Sequence, residues 1–211
     1  MAEKHVSLAD QAYETIRTNI LNLTYPPGTQ LTEAKLASDL NMSRSPVRTA
    51  IKMLQADGLL VSDYYKSMTV KVITRKDILE IYQLRELIEG NAFRYIFTSG
   101  RYEEYSYRIE EKVVRMCAVA GDLYQWELAD TGMHMEIISI FGNDRINRIY
   151  ENNMSELIRM GQYSVRHGMV ISKTNENLKK MVLLMRENNY EAAYAILKED
   201  HFTIGKETAL G

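Results

Sequence analysis

Asp130 and His134 stand four residues apart in a stretch, 122–141, whose apolar residues recur at helical spacing. Trp126, Asp130, His134, Ile138 and Phe141 follow i, i+4, i+8, i+12 and i+15, so a carboxylate and an imidazole fall within the stripe that a helix turns toward its core. Buried without partners, such groups cost several kcal/mol. They require a partner, a polar cavity or a divalent ion on which both converge. His201 shares a helix face with Ala193, Leu197 and Ile204 and is expected to point inward too. Asp130 and His134 are therefore candidate ligands for a divalent ion of zinc or nickel type, with His201 as a further inward imidazole. Hydrogen bonds between Asp130, His134 and enclosed water are the metal-free alternative.

Arg85 lies in a stripe with Ile78, Ile81, Ile88 and Ala92. An inward guanidinium suits a carboxylate ligand, because its planar donor fork matches two oxygens. The alternative is an intrahelical pair with Glu89, four residues on. Tyr82 can line the same space. Tyr82, Arg85, Asp130, His134 and His201 are thus candidate contacts for a small organic acid.

A second group of residues invites a different chemistry. Arg44 and Arg48 are four apart, on a face turned away from Val47, Ala50 and Leu54. Arginine at the head of an exposed helix suits bidentate contact with guanine O6 and N7. Ser43, Ser45 and Thr49 are short donors suited to phosphates. Lys35 and Lys52 can add backbone contacts, and Lys66 and Ser67 lie at the tip of a polar segment. The reading requires Arg44 and Arg48 to face solvent rather than be buried in salt bridges.

The elements that must hold these groups follow from breakers and periodicity. Pro26-Pro27-Gly28 ends a helix over Ala9–Leu23. Leu31 opens a second helix with Thr32 as N-cap and Leu36, Ala37 and Leu40 inward. After the Asn41-Met42 turn, Ser43 caps a third helix, and Pro46 is tolerated in its first turn. Asp57-Gly58 ends that helix, and Leu59–Val61 and Thr69–Ile73 form a two-stranded hairpin. From Arg75 onward the pattern is helical, over 77–98, 102–120, 122–141, 144–165, 172–187 and 189–206, which predicts an antiparallel helical bundle. The expected fold is mainly α: a winged helix-turn-helix over residues 1–74 and an all-helical domain over 75–211.

Bulk properties exclude several classes. No run of the 211 residues approaches the roughly 18 apolar positions that a membrane span needs, and the first ten residues lack an apolar signal core, so a cytoplasmic protein is expected. The single cysteine, Cys117, rules out an internal disulfide or a cysteine-rich zinc site. Residues 1–76 carry ten Lys/Arg against seven Asp/Glu, and the remainder sixteen against twenty-one, so the basic excess sits with the candidate DNA face. A metal-dependent enzyme using Asp130 and His134 is the alternative function. No His-Glu-x-x-His string, phosphate-cradling glycine loop or Ser/His/Asp constellation supports it.

Residues 28–72 carry Gly28-Thr-Gln-Leu-Thr-Glu33, Leu36-Ala37, Met42-Ser43-Arg44-Ser45-Pro46-Val47-Arg48 and Asp57-Gly58-Leu59, which resemble the GntR family of bacterial regulators. The helical remainder, with Asp77 to Glu89, Asp130-x-x-x-His134 and Gly142-Asn143, resembles the FCD effector domain of the same family. The resemblance implies a homodimer on a short palindromic DNA operator, with contacts at Arg44, Arg48 and their serine neighbours. It also implies a divalent metal held by an Asp and three His at the floor of an effector pocket. Asp130 and His134 match the first two positions, and His201 or Asp200 the last. The remaining histidine position falls on Asn177 or Leu178, so Asn177 joins the candidate effector contacts. The family commonly has a glycine at the wing tip, where this chain has Lys66-Ser67.

Overall fold

The structure, a computed structural model, describes residues 6–62 and 67–210. Lys66 and its neighbours Asp63, Tyr64 and Tyr65, together with His5, lie outside the described residues. The chain divides into two compact units that meet in sequence between Ile73 and Thr74.

In the first unit, α1 (Leu8–Leu21) starts at a capping box in which Ser7 and Asp10 satisfy each other's backbone N–H. Its buried residues Ala12, Ile16, Ile20 and Leu21 pack on α3 (Arg44–Ala56), which buries Val47, Ala50, Ile51 and Leu54. Between them α2 (Glu33–Asp39) is capped by Thr32, whose hydroxyl accepts from Lys35 N at 3.2 Å. The α2–α3 turn passes through Asn41 at φ +51°, a left-handed conformation that Asn tolerates better than most side chains. That residue sets the sharp re-aiming of α3 relative to α2.

The sheet has three strands rather than two. β2 (Leu60–Ser62) and β3 (Met68–Val70) form the expected hairpin, and β1 (Gln30–Leu31) pairs antiparallel with β3, giving the order β1-β3-β2. Leu31 is therefore a strand residue, fully buried, and not the first residue of a helix. Two residues are too short a run for alternation to register.

The second unit consists of α4 (Arg75–Thr98), α5 (Tyr102–Ala118), α6 (Leu123–Ile138, extended by a 3₁₀ turn over Ser139–Phe141), α7 (Asp144–Arg166), α8 (Ile171–Arg186), α9 (Tyr190–Leu197) and α10 (Gly205–Leu210). A capping box of Thr74 and Asp77 opens α4. Helix α5 packs on α6 and α8, and α6 also packs on α4 and α7. Helices α4 and α7 bring residues to the polar stripe of α6, Arg85 to His134 and Gly161 to Glu127. Between α9 and α10 the chain does not break but widens into a π-helix over Lys198–Ile204. The wider turn carries one residue more than an α-turn. Consecutive side chains Asp200, His201 and Phe202 are all buried there, where a regular helix would turn one of them outward.

Candidate functional site

The head of α3 presents Ser43, Arg44, Ser45, Arg48, Thr49 and Lys52 to solvent, while Val47, Ala50 and Ile51 are buried. Ser43 is the N-cap residue, but its side chain makes no capping hydrogen bond. Thr49 is turned toward its own helix, its hydroxyl 3.4 Å from Ser45 O. A groove bounded by Thr32, Glu33, Arg44, Arg48, Lys52, Ser62 and Ser67 runs between α2, α3 and the strands. Arg48 is not a lone cation. Its Nε lies 3.0 and 3.2 Å from the two Glu33 oxygens, and Nη2 donates to Oε2 at 2.9 Å. The Arg48 side chain is nevertheless 59% exposed, so the pair sits on the surface and is not a buried salt bridge. The Arg48 hydrogen bond holds the Glu33 carboxyl below its ordinary range. Lys35 is exposed at the start of α2 and does not line the groove.

The second unit buries a cluster of ionisable side chains brought in by α4, α6, α7 and the π-helix. Arg85 Nε donates to Glu89 Oε1 at 2.8 Å, and Arg85 Nη2 lies 2.7 Å from His134 Nε2. Glu89 Oε2 lies 2.6 Å from His134 Nδ1, and Tyr150 donates to Glu89 Oε1 at 2.8 Å. Arg85 thus pairs with Glu89 and reaches the interior at once. Around the other face of His134, Nε2 lies 3.4 Å from Asp130 Oδ2 and 3.2 Å from His201 Nδ1, and His201 Nδ1 is 3.9 Å from Asp130 Oδ1.

The protonation states follow from these contacts. Burial opposes a charge on Glu89, but Arg85 and His134 keep its carboxyl below the ordinary range, ionised. Burial disfavours a charged His134, but Glu89 and Asp130 hold its imidazole above the ordinary value, and the contact with Arg85 decides where its protons sit. A guanidinium can only donate. A proton on His134 Nε2 would face the Arg85 donor at 2.7 Å, so Nε2 accepts from Arg85 and the ring is neutral, its one proton left to Nδ1, which lies 2.6 Å from Glu89 Oε2 without hydrogen-bond alignment. Burial pushes the His201 imidazole down to about 3 in spite of Asp130, so it too is neutral. Glu127, which no sequence expectation included, is buried. Burial and then the neighbouring Asp130 hold it well above the carboxylate range, so it stays protonated.

A cavity of about 20 Å³ lies among Tyr82, Arg85, Glu127, Asp130, Ser164, Asp200 and His201. That is room for one water or one ion. Asp130 Oδ1, Glu127 Oε1, Asp200 Oδ2 and His201 Nε2 are buried and make no hydrogen bond among the described residues. Ligand atoms of Asp130, His134 and His201 all lie within 4.8 Å of one another. Donors about 2.1 Å from a tetrahedral zinc stand about 3.4 Å apart, close to the 3.2, 3.4 and 3.9 Å separations in this cluster. Two neutral imidazoles, a carboxylate and a second carboxylate behind one imidazole form a donor set that fits a divalent ion.

Asn177 does not line this cavity; its Nδ2 donates to Asp200 Oδ1 at 3.0 Å. It is thereby tied to an acid of the π-helix that does border the cavity. Glu127 was legible in one respect: Glu127, Asp130, Thr131 and His134 form an i, i+3, i+4, i+7 polar stripe, all buried, beside the apolar one. Gly161 on α7 leaves the space for it, since a Cβ there would overlap the Glu127 carboxyl group. His167, expected at the surface, is exposed and stacks on Tyr163.

Comparison with known proteins adds three findings. The family described as bacterial regulatory proteins, gntR family, matches residues 8–70, and the FCD domain matches residues 80–201. The HTH-type transcriptional regulator YdhC of Bacillus subtilis (strain 168) is 35% identical over 94 residues, which are 44% of this chain and 42% of that protein. An HTH-type transcriptional regulator of Agrobacterium vitis, from the TAR-I ttuE-ttuC' intergenic region, is 30% identical over 138 residues, 61% of this chain and 77% of the relative. Among solved structures, a GntR transcriptional regulator from Rhodococcus sp. RHA1 superposes with a TM-score of 0.77 at 20% identity, covering 96% of this chain and 97% of that one, a likeness of fold.

Proposed function

Because the chain belongs to the gntR family of bacterial regulatory proteins and carries an FCD domain, we propose that it is an effector-responsive regulator that reads a palindromic operator as a homodimer. The matched families and relatives are transcriptional regulators and not enzymes, which removes the metal-dependent enzyme as a reading. No helix among the described residues is long and apolar enough to cross a membrane, in keeping with a protein that meets DNA in the cytoplasm.

The observation that carries the proposal is the pair of exposed guanidinium groups, Arg44 and Arg48, at the head of a helix whose opposite side is buried. Residues at the N-terminal end of such a helix reach base edges in the major groove, and the two-fold axis of a dimer matches two half-sites. Arg44 and Arg48 are assigned to bases. Ser43, Ser45, Thr49, Thr32, Lys35 and Lys52 are assigned to phosphates, and so are Lys66 and Ser67. Residues 1–74 form the DNA-reading domain and residues 75–211 the effector and dimerisation domain.

The effector is assigned to the buried cluster, whose cavity of about 20 Å³ must widen to admit it. Arg85 would hold a carboxylate of a small organic acid, with Tyr82 and His201 beside it. Asp130, His134 and His201 would hold a divalent ion of zinc or nickel type, which when bound supplies a positive centre for a ligand oxygen. A ligand with higher affinity for one arrangement of the protein shifts the population toward it, and so changes operator affinity.

The test starts with selection of operator sequence from randomised duplex DNA by the full-length chain. Arg48→Ala should then weaken binding to the selected site about tenfold to a hundredfold in gel-shift titration, with little change on unrelated DNA. Unchanged discrimination in the Arg44→Ala/Arg48→Ala double variant would overturn the assignment.

A further inference from the structure

We infer that Arg85 is a displaceable stopper in the cation site: its guanidinium occupies the one lone pair of His134 that a metal ion at Asp130, His134 and His201 would need. The inference rests on the metal and effector reading above and concerns what must move before a cation can bind.

An imidazole nitrogen without a proton has a single lone pair, in the ring plane. For His134 that nitrogen is Nε2, because a guanidinium can only donate and Arg85 Nη2 stands 2.7 Å from it, which leaves the ring proton to Nδ1. Nε2 is also the His134 atom nearest the other two candidate ligands, 3.4 Å from Asp130 Oδ2 and 3.2 Å from His201 Nδ1. Arg85 Nη2 approaches the same nitrogen at 2.7 Å. A hydrogen bond and a metal bond cannot share that lone pair. A guanidinium so placed also sets its positive charge against the incoming cation.

The rest of the surroundings lets Arg85 leave without being stranded. The planar guanidinium moves off His134 only as a whole, and Glu89, four residues on in the same helix and 2.8 Å from its Nε, keeps a carboxylate beside it as it shifts. Its Cζ lies 5.4 Å from the Tyr82 ring centroid and 6.0 Å from that of Phe202, aromatic faces that can accompany a buried cation. Arg85 also borders the small cavity, together with Ser164 and Tyr82. Once Nη2 is off His134, its donors turn to that cavity. A cation and an anionic effector are then linked: each makes the rearrangement that the other uses, and by reciprocity each strengthens the other's binding.

The sign of one measurement separates this from ordinary support of a metal ligand. Loss of a group that merely orients a ligand weakens metal affinity, commonly about tenfold to a hundredfold. Loss of a stopper strengthens it. The metal-free full-length chain is titrated with Zn²⁺ by calorimetry and with Co²⁺ by its visible absorption bands, in wild type, Arg85→Gln and Arg85→Lys. Both variants should bind the ions more tightly than wild type, by about tenfold or more, the range expected for one charge-assisted hydrogen bond. His134→Ala should abolish binding in each background. Arg85→Lys, whose ammonium can still pair with Glu89, carries the test if the Gln variant unfolds at the titration temperature. Equal or weaker ion binding in the folded variants overturns the stopper. Absence of any His134-dependent uptake in all chains overturns the metal set itself, and the stopper with it. The operator selection reads DNA recognition separately, so the two failures are distinguishable.

Discussion

Each unit contains an arginine–glutamate pair, and the two differ in almost everything but length. Arg48 and Glu33 join α3 to α2 at 2.9 Å, with side chains 59% and 33% exposed. Arg85 and Glu89 join at 2.8 Å within α4, with side chains 9% and 0% exposed. On the surface, water screens both charges and the pair adds little to stability. Its effect is geometric: Glu33 engages the Nε side of Arg48 and holds the guanidinium over the groove. In the interior the same chemistry cannot stand alone, and the second pair recruits His134 and Tyr150 as well. A surface site is thus built from residues that each tolerate loss. A buried site is built from residues that depend on one another.

That contrast is open to attack at several points. The largest effect should come from Glu89→Ala, which leaves the Arg85 guanidinium buried without its carboxylate. Unfolding by urea should show a loss of about 3–5 kcal/mol, and a loss below about 1 kcal/mol would mean that the cluster is not mutually dependent. Gly161→Ala comes next. Its new methyl group overlaps the Glu127 carboxyl, and overpacking of this kind costs about 1–3 kcal/mol. The double change Gly161→Ala/Glu127→Ala should recover most of that loss if Glu127 is the group that needs the space. The smallest effect is expected at the surface: Glu33→Ala should move the melting temperature by at most about 2 °C. A larger shift, measured by circular dichroism, would make the Arg48–Glu33 pair a structural element instead of a positioning one.

How much of this was legible in the sequence follows the same division. Helix α3 was plain, because its face is set by local period: Val47, Ala50 and Leu54 inward leaves Arg44 and Arg48 outward whatever surrounds them. Asp130 and His134 were legible as misfits in an apolar stripe, and Arg85 with Glu89 as an i, i+4 pair. What pattern could not supply was convergence. Tyr150 reaches Glu89 across 61 positions, and His201 reaches His134 across 67. Such partners depend on which helices pack together, not on spacing. The third strand escapes pattern because Gln30–Leu31 offers only two residues. Resemblance assigns Asn177 to the effector, but the structure places its amide on Asp200.

The widened turn over Lys198–Ile204 has a consequence for how this chain is compared with others. From residue 198 onward the helix is out of step with a regular one by a single position. A relative whose last helix is uninterrupted will therefore match Asp200 in one alignment and His201 in the next, with neither register wrong on its own side of the bulge. Deleting one residue here would leave an ordinary helix and an unbroken backbone, yet only one of the two side chains would still face inward. The surplus residue lets this short segment deliver an acid and an imidazole to the same cavity, so an insertion or deletion here would change which side chains line it.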